Sequence, residues 1–255
     1  MTISGTKEWS VESVNCVTGC SHNCRYCYAR ARRHWIERPE DWAAMRVREH
    51  DVRKPRRKAG GTVMFPTTHD ITPEVLEPCL KVIFKILSAG NKILIVSKPH
   101  LECIRAIDRD FQAFRDQILF RFTIGAIDDG ILSYWEPGAP TWSERLASLR
   151  FASQRGWQTS VSAEPLLDAS NVGKLVAAVR PFVSDTIWIG KMNQVRARAV
   201  PGTSEEAIRR IEAGQTDDAV RGVYAALKDD PLIRWKESYK TVLGLELATE
   251  AGLDV

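Results

Sequence analysis

Four of the six cysteines lie within twelve consecutive positions, at residues 16, 20, 24 and 27. The first residues of the chain are polar and unlike a secretion signal, and cysteines this close together are then typical of a metal site in a compartment that keeps thiols reduced. Cys20, Cys24 and Cys27 follow the spacing Cys-x3-Cys-x2-Cys. This spacing constrains the chain most, because the loop that carries it must bring three sulfurs together.

Such a loop suits a [4Fe–4S] cluster. Each of three thiolates can bind one iron of a cubane cluster, which leaves the fourth iron free. A free iron can chelate the amino and carboxylate groups of S-adenosylmethionine (SAM), and the reduced cluster can then cleave the SAM sulfonium to give a 5′-deoxyadenosyl radical. The cysteines therefore indicate two cofactors, the cluster and SAM.

A zinc site made of the four clustered cysteines is the alternative. Structural zinc usually takes its ligands in two pairs from separate loops, and no second Cys/His pair follows in this sequence. Cys16 lies within a predicted strand, and Cys79 and Cys103 lie in predicted helices. We expect these three thiols to be buried in the core.

The rest of the sequence alternates short apolar runs with amphipathic stretches, as in repeated βα units around a parallel sheet. Its 255 residues, 44% of them hydrophobic, match the size of an α/β barrel. No run approaches the roughly 20 apolar residues of a membrane span, so we expect a cytoplasmic protein with no membrane partner. Six strands are predicted, at residues 11–17, 62–66, 92–97, 118–124, 158–163 and 186–190.

Two segments lie outside this repeat. Residues 37–61 form an Arg-rich insertion after the first predicted helix, and residues 196–255 are predicted to be mainly helical. We therefore predict an α/β fold in two parts. Residues 1–195 form a partial (β/α)6 barrel that includes the insertion, and residues 196–255 form a C-terminal helical extension packed on it.

The residues around the cysteines carry a resemblance to a known family. The string Gly-Cys-Ser-His-x-Cys-x-Tyr-Cys-Tyr-Ala-Arg, residues 19–30, resembles the cluster loop of the spore photoproduct lyase-like branch of radical SAM proteins. Further matches run in register as far as about residue 190. The resemblance implies a partial (β/α)6 radical SAM barrel and a lyase or other radical-dependent modifying activity. It also implies a reducing protein of the flavodoxin or ferredoxin type as electron donor.

The resemblance further implies which residues bind SAM. Tyr26 matches an aromatic residue placed against the adenine, and Lys98 matches a lysine near the SAM carboxylate. Thr123 matches a hydroxyl residue that contacts SAM from the fourth strand. Most of these residues stand at carboxyl ends of strands, where parallel barrels form their active sites. The full set implied to bind the cofactor is Tyr26, Asp70, Ser97, Lys98, Thr123, Glu136 and Arg145.

One position departs from the resemblance. The spore lyase proper uses a cysteine as hydrogen donor at the end of the second strand, where this chain has Pro66, Thr67 and Thr68. We therefore expect a relative of spore photoproduct lyase that is not the spore lyase itself.

Residues 25–58 contain twelve Lys or Arg and five Asp or Glu, a local excess of +7 in a chain of net charge +4. Trp35 and Trp42 lie among these charges. Cationic side chains with interleaved aromatics suit a phosphate backbone, so a nucleic acid, to be repaired or modified, is the expected substrate. A solvated helix face, or docking onto an acidic protein partner, is the alternative explanation of this segment.

Lys191 and Asn193 follow the sixth predicted strand, and Glu164 follows the fifth. Polar groups at the mouth of the barrel position a substrate beside the radical in a dry pocket, so these three are the candidate catalytic residues. Met192 and Trp188 are expected to lie beside them. Two other functions stay open, namely radical SAM modification of a protein or small molecule, and a non-catalytic iron–sulfur or metal-binding protein.

Overall fold

The structure, a computed structural model, describes residues 3–32 and 39–253. Within these residues the strands are β1 (Glu12–Ser13), β2 (Val17–Thr18), β3 (Arg46–Val47), β4 (Val63–Phe65), β5 (Ile93–Ser97), β6 (Ile118–Thr123), β7 (Gln158–Ala163), β8 (Ile187–Ile189) and β9 (Ile233–Trp235). Seven of them form one sheet in the order β1-β4-β5-β6-β7-β8-β9, with every neighbouring pair parallel. The other two, β2 and β3, form a separate antiparallel pair.

Helices lie between the strands, and one more follows the last strand. They are α1 (Tyr28–Ala31), α2 (Pro39–Ala43), α3 (Glu49–Arg53), α4 (Leu76–Ser88), α5 (Leu101–Phe111), α6 (Asp129–Trp135), α7 (Trp142–Gln154), α8 (Val172–Val179), α9 (Val195–Arg198), α10 (Glu205–Ala213), α11 (Asp217–Leu227) and α12 (Glu237–Leu243). From β4 to β8 each strand returns to the next through at least one helix, because parallel neighbours need such a crossover. No helix of the described residues is long and apolar enough to cross a membrane.

The predicted α/β partial barrel is confirmed, with one strand more than expected. The seventh strand, β9, comes from the C-terminal segment that we predicted to be helical, and it pairs with β8. Three residues are too short to show a strand periodicity of their own, so the pattern around them was dominated by the neighbouring helices. The predicted first strand, residues 11–17, is divided between β1 in the main sheet and β2 in the antiparallel pair.

Both faces of the main sheet are buried, as expected for parallel strands. In β5, Ile93 and Ile95 face the core that includes residues of α4, α5 and α7, while Leu94 belongs to a second cluster with Trp9 and Trp188. Residues i and i+2 of a strand share a face, so this second cluster fills the interior of the barrel. Ile93, Leu94, Ile95 and Val96 form a continuous apolar run because both faces of the sheet are covered, and the polar Ser97 stands at the carboxyl end of the strand.

The open side of the barrel, between the edge strands β1 and β9, is spanned by the N-terminal segment. A 3₁₀ turn at Gly5–Glu8 brings Glu8 to within 2.7 Å of Lys236 Nζ. The Glu237 backbone N–H also donates to Glu8, at 3.0 Å. The Lys236 ammonium lies 3.8 Å from the centre of the Trp9 ring. Lys236 is only 1% exposed, so these contacts replace the water that its charge loses on burial.

Candidate active site

The cysteine loop follows β2 and is held from outside by the segment that contains α2. Gly19 has a left-handed φ of +90°, and a Cβ there would lie 2.6 Å from the Trp42 carbonyl oxygen, so only glycine fits. The same carbonyl accepts a hydrogen bond of 2.8 Å from the Cys20 N–H. The Trp42 ring is buried in a small cluster with Cys20 and Ala29. The path of the loop is therefore set before its thiols meet any ligand.

The three cysteines of the loop line a single cavity of about 700 Å³. Burial, followed by the charges of Asp70 and Cys24, raises the pKa of Cys20 well above its usual value. Burial likewise raises the pKa of Cys24 to about 12, although Lys98 opposes the shift. Thiols in such surroundings stay protonated until a cation binds beside them, because a nearby positive charge is needed to offset the cost of burying a thiolate.

The fold also brings other possible metal ligands close to Cys20. Ligand atoms of Cys20, His22 and Asp70 all lie within 4.8 Å of one another. Cys16 does not line the cavity, because its thiol is fully buried in the core and hydrogen-bonded to Cys79. Among the described residues, three thiols therefore reach the cavity, the number that a cluster with one free iron requires.

Asp70 connects the cysteine loop with the ends of β4 and β5. Its Oδ1 accepts hydrogen bonds from Ser97 Oγ and the Lys98 N–H, each at 2.8 Å. Its Oδ2 accepts one from His22 at 2.9 Å and lies 3.7 Å from the Cys20 thiol. Burial alone would raise the pKa of Asp70, but Lys98 and His22 outweigh it and hold the pKa well below the usual range. Asp70 is therefore an anion that organises its surroundings.

Lys98 lies inside the cavity, with only 12% of its side chain exposed. Its ammonium is 3.6 Å from Asp70 Oδ2 and 5.9 Å from the centre of the Tyr26 ring. Burial would lower the pKa of Lys98, yet Asp70 and the neighbouring Cys24 raise it well above its usual value. A cation held in this way can bind a carboxylate.

Tyr26 lines the cavity, and two residues behind it hold its hydroxyl. Tyr26 donates a short hydrogen bond to Glu136, and Arg145 lies 2.5 Å from the other oxygen of that carboxylate. Arg145 also donates to the carbonyls of Pro140 and Thr123, at 2.8 and 3.3 Å. Burial opposes ionisation of Glu136, but Arg145 lowers its pKa below the usual value. Of the residues implied to bind SAM, Glu136 and Arg145 thus support Tyr26, and neither lines the cavity.

The candidate catalytic residues Lys191, Asn193 and Glu164 all line the cavity. They follow β7 and β8. Because the carboxyl ends of parallel strands share one edge of the sheet, they lie at the same edge as Lys98 and Thr123. The Glu164 carboxylate lies 3.4 Å from Lys236. Burial raises the pKa of Glu164 against the opposing charge of Lys236. Met192 also lines the cavity, while Trp188 is fully buried inside the barrel and does not reach it.

Two arginines that the sequence did not single out as a pair also line the cavity. Arg32 follows α1 with its guanidinium over the Tyr28 ring, and Arg198 ends α9. Burial, and then the charge of Arg32, lowers the pKa of Arg198. Among the described residues no carboxylate lies within ion-pair distance of either guanidinium. Residues 33–38 of the basic segment 25–58, Trp35 among them, lie outside the described part of the chain.

Comparison with known proteins shows what the fold resembles. No protein-family model matches the sequence. A protein of Acidianus two-tailed virus, "Uncharacterized protein ORF301", is 27% identical in an alignment 177 residues long that covers 63% of this chain and 57% of that protein. The chain thus spans little more than half the length of this relative.

Solved structures of spore photoproduct lyase have the same fold. A serine-substituted variant superposes with a TM-score of 0.56 and 15% identity, over 88% of this chain and 75% of the lyase. A tyrosine-to-phenylalanine variant superposes at 0.54 with 14% identity, over 91% and 80%. The lyase complexed with a dinucleoside spore photoproduct superposes at 0.55 with 13% identity, over 88% and 75%. At these identities the likeness is one of fold.

Proposed function

We propose that this protein is a radical SAM enzyme that holds a [4Fe–4S] cluster on Cys20, Cys24 and Cys27. One observation carries the proposal, namely that these three thiols line one cavity at the carboxyl ends of parallel strands. A fourth thiol would close the cluster and leave only electron transfer, and the nearest candidate in sequence, Cys16, faces the core. The barrel fold shared with spore photoproduct lyase supports the same conclusion.

When bound, the cluster and SAM supply the one-electron cleavage of the sulfonium that releases a 5′-deoxyadenosyl radical. The side chains of the protein bind SAM and orient it. Lys98, held by Asp70 at 3.6 Å, offers its ammonium to the SAM carboxylate. Tyr26, whose hydroxyl is bonded to Glu136, presents a fixed ring to the adenine. Thr123 offers a hydroxyl from the end of β6.

On the substrate side the chain supplies Lys191, Asn193 and Glu164. These polar groups line the same cavity as the thiols, and their role is to hold the reacting C–H bond near the radical and to keep water out. Pro66, Thr67 and Thr68 line this cavity as well. Since none of them is a cysteine, the final hydrogen transfer follows a different course from that of the spore lyase.

The substrate that fits best is a polyanion, and we propose a nucleic acid. Arg32 and Arg198 both line the cavity, no carboxylate of the described residues lies within ion-pair distance of either guanidinium, and the charge of Arg32 disfavours that of Arg198. An anion between them relieves this repulsion, and the planar guanidinium suits phosphate oxygens. One of the similar lyase structures holds a dinucleoside, which favours the same substrate class over a protein or a small neutral molecule.

The test is SAM cleavage by the reconstituted protein. The full chain is loaded anaerobically with iron and sulfide, reduced with dithionite and given SAM, and 5′-deoxyadenosine is measured by chromatography. We expect 5′-deoxyadenosine from the wild type and none from Cys24→Ala. A protein that carries an intact cluster, binds SAM and yet yields no 5′-deoxyadenosine is a non-catalytic iron–sulfur protein, and the proposal is then wrong.

A further inference from the structure

A row of hydrogen-bonding side chains runs from the cysteine loop to the protein surface. His22 Nδ1 lies 2.9 Å from Asp70 Oδ2, and His22 Nε2 lies 2.9 Å from His100 Nε2. His100 Nδ1 faces Glu144 Oε1 at 3.8 Å. The His22 ring is completely buried, whereas 20% of the His100 side chain and 38% of the Glu144 side chain are exposed. The row therefore leads outward from the site. No role was predicted for either histidine from the sequence.

The chemistry of each group gives the row a direction. The ionised Asp70 carboxylate can only accept, so the proton of its bond with His22 belongs to His22 Nδ1. The Nε2 atoms of His22 and His100 are 2.9 Å apart, so one of them carries the proton between them. In the arrangement proposed below His100 Nε2 is the donor. His100 thus fixes the tautomer in which His22 donates to Asp70. Donation into one nitrogen of an imidazole strengthens the N–H of the other, so the two bonds support each other.

His100 itself is held by the fold. It immediately precedes α5, and Glu144 lies in the first turn of α7. The Glu144 carboxylate accepts a hydrogen bond of 3.1 Å from the Leu101 N–H, the first of α5. The imidazole therefore lies between the starts of α5 and α7 on one side and the buried His22 on the other. Its close contact is the one with His22 at 2.9 Å, because the 3.8 Å distance to Glu144 is too long for a hydrogen bond.

We propose that His100 is a positioning residue for the metal site, acting through His22 on Asp70 and so on Cys20 and Lys98. The inference rests on the proposed cluster at Cys20. Groups that hydrogen-bond to the surroundings of a metal ligand orient it and tune the metal. Asp70 is the group next to Cys20, and its Oδ2 lies 3.7 Å from the Cys20 sulfur. The strength of the His22 bond decides how much negative charge Asp70 presents to that sulfur.

The consequence is a change in the cluster's potential. When His100 no longer donates to His22, the His22 bond to Asp70 weakens and more negative charge stays beside Cys20. Negative charge near a cluster disfavours its reduced form. Loss of the His100 donor therefore shifts the midpoint potential to more negative values and loosens the loop that collects iron.

Four variants of the full chain test this. His100→Phe removes the donor, His100→Gln keeps an N–H donor at similar reach, and His100→Asn keeps the amide but is one carbon shorter. His50→Gln changes an exposed histidine remote in sequence from the row and is the matched control. For each we measure iron per chain after anaerobic reconstitution, the midpoint potential by a redox titration followed by EPR, and the unfolding midpoint of the iron-free protein.

We expect His100→Phe and His100→Asn to bind less iron and to have a more negative potential, with His100→Gln and His50→Gln close to wild type. Folded Phe and Asn variants with wild-type iron and potential would overturn the inference. A His100→Gln variant whose midpoint potential is as negative as that of His100→Phe would also overturn it, because the effect then comes from packing and not from the lost donor. If His100→Phe does not fold, the comparison of His100→Asn with His100→Gln tests the inference. Wild-type protein that takes up no iron contradicts the proposed function instead.

Discussion

The Arg145 guanidinium lies 2.5 Å from the Glu136 carboxylate, and neither side chain is exposed to solvent. Removing one member of a buried ion pair leaves the other charge uncompensated, which costs about 3–5 kcal/mol. We therefore expect Arg145→Leu to lower the free energy of unfolding by roughly that amount, measured by urea denaturation of the iron-free protein. Arg150→Leu, on the exposed face of the same helix, is the control and should change it by less than about 1 kcal/mol. Equal effects of the two variants would mean that the buried pair stabilises the fold no more than an exposed arginine does.

The proposed cluster separates the cysteines into three ligands and three core residues. We expect Cys24→Ala to abolish iron binding, because the cavity then offers two thiols, and Cys16→Ala to retain it. Cys16 is fully buried beside Cys79, so its loss should cost stability, roughly 1–2 kcal/mol. Iron and sulfide per chain are measured after reconstitution, with unfolding midpoints alongside. Loss of iron in Cys16→Ala equal to that in Cys24→Ala contradicts the three-thiol site.

Lys98→Met should weaken SAM binding. A charge-assisted hydrogen bond contributes about 1.5–3 kcal/mol, so the dissociation constant for SAM should rise about tenfold to a hundredfold. Lys92→Met changes an exposed lysine just before the same strand and should leave SAM affinity unchanged. Equilibrium binding to the cluster-loaded protein is the measurement, and an unchanged affinity in Lys98→Met argues that the SAM carboxylate lies elsewhere.

Arg198→Gln should weaken binding of a short single-stranded oligodeoxynucleotide, followed by fluorescence anisotropy at several salt concentrations. If Arg198 contacts one phosphate, the slope of log K against log salt should fall in magnitude by about 0.7. Arg196 is the matched control on the same helix, because it is already paired with Glu205 and Glu212 at 2.8 Å each. If Arg196→Gln and Arg198→Gln behave alike, the cavity arginines do not bind the phosphate. Binding of an acidic peptide in place of the oligonucleotide points to a protein substrate.

Glu164 makes stability depend on pH. Burial raises its pKa in the folded protein, whereas in the unfolded chain the carboxyl titrates near its usual value of 4.5. Between these two values the folded state binds more protons, so the stability that Glu164 contributes is full below the unfolded pKa and is lost as pH rises through the folded pKa. Glu164→Gln does not titrate and should remove this decline, while the exposed Glu12→Gln should keep it. Urea midpoints measured from about pH 4 to 7 test the sign, and a wild type that gains stability relative to Glu164→Gln over this range contradicts it.

Much of the barrel could be predicted from the sequence because buried parallel strands leave continuous apolar runs. Residues 158–163 are predicted and observed as the same strand, Gln158–Ala163. Lys98, Thr123 and Lys191 are found at the cavity for a related reason, since polar residues at the ends of such runs share one edge of the sheet. Local patterns are enough for features of this kind.

The rest depends on contacts between distant parts of the chain. His22 and His100 are 78 positions apart and meet only because the cysteine loop and the start of α5 share one end of the barrel. Arg198 lies on a four-residue helix that also contains Arg196. A helix this short has no periodicity from which to tell which of the two arginines faces the cavity. His22 belongs to the string around the cysteines, so the sequence indicated that this residue lies at the site. Nothing in the string indicated that His100 is its hydrogen-bond partner.

The contact of Glu8 with the start of α12 has a consequence for how the protein is made. Glu8 accepts the Glu237 N–H across 229 positions of sequence, and β9 can join the sheet only when residues 233–235 have been synthesised. During translation the first strands can fold early, but the gap beside them stays open until residues 233–237 have left the ribosome. The proposed cluster ligands are thus accessible while the residues between are synthesised, and this side of the barrel closes only afterwards.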